Sequence, residues 1–346
     1  MQQFCGMRSH LANRRGKQRQ AARTFRAFKN PGGPMTDQLP AANARPAPPR
    51  SLFKYFSPSG TRFFGNWHVR FSQPGAMNDP FEFSPHVAGW GTAEEEEAQA
   101  GKVWEERMVE AYAKQRPGFR ARVSQDQFLT KLRLSKAADV EQELKAIRGK
   151  AYPEMASGVT DMANAGIGVF CLTEDPANLL MWSHYGESHT GFVVEFDTAH
   201  EFFQSKVPPA HANADAQEAA EFAAEYGFLR PVSYSDSRPA VVLTQMSFGI
   251  FEVKGTCWSY EREWRMFMPL SYSQTQYRGP YRFPLHLWPI PKAAVRRVIG
   301  GANATMAVVE SIRRLASDPE AQHIQLQSAQ VDREHFSMSF IDLPAA

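Results

Sequence analysis

Cysteine is scarce in this chain: 3 in 346 residues, at Cys5, Cys171 and Cys257. They lie far apart and form no CxxC pair, which argues against a disulfide framework or a cysteine-based zinc site and suits a reducing cytoplasm. No run of about 18 apolar residues occurs, so no helix is expected to span a membrane and no membrane partner is expected. The sequence has no GxGxxG or GxxxxGK[ST], which removes the dinucleotide and P-loop fingerprints. It has no HExxH and no GxSxG. His184 and His189 are five apart and fall on different faces of a helix, so no metal is expected from them. No acidic cluster has metal-site spacing, which disfavours a nuclease.

Acids are missing from residues 1–35, which hold eight Lys or Arg. The rest of the chain then has 31 bases against 36 acids, a balance of −5 beneath the overall +3. Three readings fit this basic stretch: nucleic-acid binding, an organelle presequence, or an over-extended start with Met35 as initiator. The last fits best, because Pro- and Ala-rich residues 36–50 then read as an ordinary leader. Nucleic acid is expected as a partner only through this tail, if at all. Apolar residues make up 43% of the chain, enough for a sizeable core.

The expected domain runs over 51–346, after a disordered leader at 1–50. Strands are expected at "LFKYFS", "WHVRFS", "IGVFCLTE", "GFVVEFD", "FLRPVSYS", "EREWRMFM", "RRVIGG", "HIQLQSA" and "FSMSFI". Between the second and third lies a helical insertion over 92–165, whose acidic start reads as a solvated first turn. Further helices are expected in "DPANLLMWSHYG" with Asp175 as N-cap, in "ADAQEAAEFAAEYG", over about 245–258 and in "ATMAVVESIRRLAS". This irregular interleaving points to an α+β fold with a mixed, mostly antiparallel sheet.

Two stretches concentrate chemistry. "MNDPFEF" (77–83) reads as an Asx-type turn, or as a rigid loop in which Asn78 holds a ligand edge. "WSYEREWRM" (258–266) reads as a strand with Glu261, Glu263 and Arg265 on one face. That ladder is either a set of surface ion pairs or a pair of acids held near a developing positive charge, as in N-glycosidic chemistry.

These segments resemble the bacterial domain-of-unknown-function family 2971, which has no established activity. A weaker, fold-level likeness is to ADP-ribosyltransferases, which carry a late catalytic Glu, sometimes as Glu-x-Glu. Lys54 stands where those enzymes usually have His or Arg. The likeness implies an NAD-using enzyme with Glu263 on the ribose and the oxocarbenium, and Glu261 activating an acceptor. Lys54 would meet the pyrophosphate, and Tyr55 and Tyr185 would stack on a ring, with Asn78 among the binding residues. On that basis Glu263 is expected to matter more to activity than to stability. The alternative is a non-catalytic binding module of a bacterial defence or stress locus.

Overall fold

The computed structural model describes residues 46–344, apart from 134–135, 205–224, 274, 278 and 280–281. The basic leader and most of the Ala-rich helix expected at 214–227 lie outside these residues. The chain forms two compact units. Ser84–Met162 with Arg238–Ile250 belong to one, and Gln38–Phe83, Ala163–Ser237 and Phe251–Ala346 to the other.

The first unit is mainly helical, with helices at Ala93–Ala113, Pro117–Arg120 and Gln125–Leu132, and the longer Lys136–Gly166 beginning within it. Thr92 starts the first through a capping box: its hydroxyl accepts from Glu95 N at 3.2 Å and Glu95 returns a bond to Thr92 N at 2.8 Å. The acidic run that follows is not wholly solvated, as the sequence suggested. Glu96 is buried and accepts from Trp90 N at 2.9 Å, from Arg148 Nη2 at 3.1 Å and from the Tyr152 hydroxyl. Among the described residues no helix is long and apolar enough to cross a membrane.

Among the described residues there are fifteen strands. They are β1 (Ser51–Phe56), β2 (His68–Phe71), β3 (His86–Gly89), β4 (Ile167–Thr173), β5 (Phe192–Asp197), β6 (Leu229–Pro231), β7 (Ser233–Ser235) and β8 (Ala240–Val242). The remainder are β9 (Val253–Gly255), β10 (Glu263–Pro269), β11 (Thr275–Tyr277), β12 (Leu285–Pro289), β13 (Val295–Gly300), β14 (Gln325–Val331) and β15 (Met338–Asp342). In the second unit eight of them make a sheet in the order β15-β14-β13-β5-β1-β4-β10-β6. Every neighbouring pair in it is antiparallel except β13 with β14, so the fold is α+β with a mixed, mostly antiparallel sheet.

Alternation divides the sheet between two clusters. Leu52, Phe170, Leu172, Val194, Phe196, Trp264, Met266 and Val298 pack on one side with Phe71, Trp288 and Ile312. Phe53, Tyr55, Val193 and Ile299 pack on the other with Met181 and Trp182. Each fully buried aliphatic or aromatic side chain contributes about 1.5–3 kcal/mol. The centre of this sheet positions the site, because β4 lies between β1 and β10. Thr173 stands opposite Phe53 on one side and Glu263 on the other.

Two elements differ from expectation. The helix expected over 245–258 is instead a series of short 3-10 turns (Leu243–Gln245, Phe248–Glu252, Thr256–Glu261) interrupted by β9. The helix in "DPANLLMWSHYG" begins only at Leu179, capped by Asn178, whose side chain accepts from Leu180 N and Met181 N. Asp175, the expected cap, closes a turn before it by accepting from Ala177 N at 2.8 Å.

Candidate functional site

Glu261 is not on the strand with Glu263. It ends a 3-10 turn, and Arg262 follows in the left-handed region at φ 43° before β10 begins at Glu263. Simple alternation therefore fails at Glu261. The αL turn at Arg262 nonetheless leaves both carboxyls buried against one amine, while Arg262 itself is exposed.

That amine is Lys254, on β9. Its Nζ lies 2.6 Å from Glu261 Oε2, 3.3 Å from Glu263 Oε2 and 3.4 Å from Glu82 Oε1. Arg265, two residues into β10 from Glu263, is fully buried. Its Nε and Nη2 donate to the two oxygens of Glu263 at 2.8 and 2.9 Å, its Nη1 donates to Phe251 O at 2.8 Å, and Nη2 also pairs with Glu82. Three carboxyls thus share two cations in a nearly dry setting. Lys254 and Glu82 are the partners that sequence reasoning missed. The available signal was a charge set between apolar residues in each of two short runs, Lys254 in "IFEVKG" and Glu82 in "DPFEF".

The loop after β2 supplies one wall. Asp79 Oδ1 accepts from Phe81 N at 2.9 Å, which is the Asx turn read from the sequence. That turn, with Phe83 buried after it, fixes Glu82 against the two cations. The same loop presents Asn78, whose Nδ2 donates to the Tyr185 hydroxyl at 3.0 Å. Tyr185 in turn donates to Glu261 Oε1 at 2.7 Å. Across the site Tyr55 donates to Asp175 O at 2.8 Å and meets Trp182 edge-on. Lys54 Nζ donates to Cys171 O at 2.9 Å.

Between these groups lies a cavity of about 230 Å³. Lys54, Tyr55, Asn78, Tyr185, Glu261 and Glu263 all line it, so all six residues singled out in the sequence share one space. Glu82 and Lys254 line it too, with apolar surface from Phe53, Met77 and Met181. The two histidines stay apart from it: His184 is exposed and His189 lies flat against Trp182. Among the described residues no group of three or more His, Cys, Asp or Glu side chains could hold a metal ion. The three carboxyls turn to Lys254 and Arg265 instead.

Environment drives the two glutamates of the Glu-x-Glu pair apart. For Glu263 burial favours the neutral acid, but Arg265 and then Lys254 outweigh it and hold the carboxyl down at about 2. For Glu261 burial is again the largest influence, and with the nearby charge of Glu263 it overcomes Lys254, so the pKa rises. Burial also raises Tyr185, reinforced by Glu261, and keeps its hydroxyl a donor. Burial raises the Cys171 thiol, with Glu263 adding to it, so this cysteine is no ready thiolate nucleophile. A permanently ionised carboxylate thus stands beside one that can gain or lose a proton, the usual arrangement for dividing acid and base roles.

Residues 181–266 match the family described as a protein of unknown function, DUF2971. That stretch is similar to DUF2971. The family resemblance read from the sequence is borne out over these residues, and the matching stretch contains Tyr185, Lys254, Glu261, Glu263 and Arg265. No curated protein and no solved structure matches the chain. The likeness to ADP-ribosyltransferases receives no support from these comparisons.

Proposed function

We propose that the cavity is the active centre of an enzyme that acts on an N-glycosidic bond, with NAD as the expected substrate, in the manner of an ADP-ribosyltransferase. The observation that supports this most is the division of the two glutamates, one held ionised and one raised, on the wall of a cavity with aromatic sides. In such a reaction the bond from the ribose carbon to the ring nitrogen breaks, and the ring leaves as neutral nicotinamide with the bonding electrons. The acceptor's oxygen or nitrogen then bonds to that carbon and gives its proton to a base.

Glu261 suits the base. A carboxylate with a raised pKa takes a proton more readily than an ordinary one. Tyr185 and Lys254 fix one oxygen each, at 2.7 and 2.6 Å. Glu263 has both oxygens engaged by Arg265, and Lys254 adds a further contact, so its part is to hold these cations in position. Stabilising the oxocarbenium then falls to Glu261 more than to Glu263, a reversal of the roles the fold likeness implied.

One observation favours a second reading, a non-catalytic binding module. Each oxygen of Glu261 and Glu263 already has a partner within the protein, as a purely structural ion cluster would require. The test is nicotinamide release from NAD by purified wild type and by Glu261→Gln. The enzyme reading expects turnover in wild type and a loss of about a hundredfold or more in the variant. Wild type that binds NAD without consuming it favours the binding module. Wild type that neither binds nor consumes it ends the NAD reading.

A further inference from the structure

The size and wall chemistry of the cavity narrow its ligand. Sites for drug-sized ligands occupy roughly 300–1,000 Å³. This one, at about 230 Å³, is smaller and has no room to enclose a dinucleotide. Its walls differ in character. Tyr55, Tyr185 and Phe53 offer ring surface, and Asn78 offers an amide, all suited to a planar heterocycle. Glu82, Glu261 and Glu263 offer carboxyl oxygens, which accept from sugar hydroxyls and repel phosphate.

The cations on the wall do not offset this. Lys254 is ringed by three carboxyls at 2.6, 3.3 and 3.4 Å, so its charge is already matched. Lys54 donates to Cys171 O at 2.9 Å and sits 5.3 Å from the centre of the Phe170 ring. A single lysine facing three carboxyls is a poor seat for a pyrophosphate, the role the fold likeness gave it. Phosphate sites are built from converging cations and backbone N–H groups.

We infer that the ligand enclosed here is an unphosphorylated N-glycoside, one planar ring with its ribose, and that any phosphate stays outside the cavity and is not read. This rests on the reading of the cavity as an N-glycosidic site. The ring lies along Tyr55 and Tyr185, and the ribose hydroxyls donate toward the carboxyl side.

Calorimetric titration of the full chain with nicotinamide riboside, nicotinamide mononucleotide and NAD, in one buffer, tests it. The riboside is expected to bind at least as tightly as NAD, and Lys54→Ala is expected to change both affinities by the same factor. NAD binding at least tenfold tighter than the riboside overturns the inference while leaving the N-glycosidic reading in place. So does a Lys54→Ala loss confined to the phosphorylated ligands. Absence of binding by all three removes both the inference and the reading beneath it.

Discussion

Glu261 and Glu263 stand two apart in sequence, yet their substitution should have opposite consequences. Glu263→Gln leaves Arg265 buried without its bidentate carboxylate, and breaking a buried pair in this way costs about 3–5 kcal/mol. Urea unfolding should register that loss as a large fall in midpoint. Glu261→Gln leaves Lys254 with Glu263 at 3.3 Å and Glu82 at 3.4 Å, so stability should fall by only about 1 kcal/mol. Nicotinamide release, in contrast, should collapse. An equal loss of stability in both variants would show that the cluster is one structural unit. From sequence alone Glu263 was expected to matter chiefly for activity, because alternation reveals that residues share a face but not which oxygens are occupied. The opposed charges of Glu261, Glu263 and Arg265 were legible. Lys254 and Glu82 were not, because the partners each one meets in the fold are not its neighbours in the sequence.

At the scale of elements, legibility followed length and pattern. β1, β4, β5, β10 and β13 are runs of six or seven residues, rich in apolar side chains, and lie where the pattern put strands. The segment 245–258 was misread as a helix because the 3-10 turns that run through it are three to six residues long. At that length an apolar set fits more than one period. The turn at Arg262 was likewise invisible, since nothing in "YEREW" announces a left-handed residue. Close approaches of backbone are also hidden from pattern reading. A Cβ on Gly191 would lie 1.9 Å from Phe56 O, backbone against backbone, where β5 begins opposite the end of β1. No side-chain movement relieves that contact. Gly191→Ala should therefore cost about 3 kcal/mol or more, visible as a lowered melting temperature or loss of soluble protein. Arg262→Gly should be tolerated, because glycine removes the left-handed penalty of about 1–2 kcal/mol while adding chain entropy of about 0.5–1 kcal/mol. A steep loss of stability there would mean that the exposed guanidinium makes a contact the fold depends on.

For the molecule as a whole, the two glutamates impose opposite slopes on stability against pH. Glu263 is depressed in the fold, from an ordinary 4.5 to about 2. Its stabilisation is complete above 4.5 and is lost as pH falls through the window from 4.5 to about 2. Glu261 is raised in the fold. Its contribution is complete below 4.5 and is lost as pH rises from there through the raised folded value, because the native state then holds a proton that the unfolded chain has released. Other carboxyls with lowered values, among them Glu96, Asp318, Asp332 and Asp342, add to the acid-side loss in wild type. They are equally present in Glu261→Gln and cancel when the two proteins are compared. The difference, wild type minus variant, isolates Glu261 together with whatever its loss does to Glu263. Urea unfolding of both proteins at intervals from pH 4 to pH 8 should show wild type losing ground to the variant as pH rises. A difference that stays flat, or that grows in favour of wild type, would mean that Lys254 holds Glu261 ionised throughout, leaving the cavity two carboxylates of low basicity and only a weak base for the acceptor's proton.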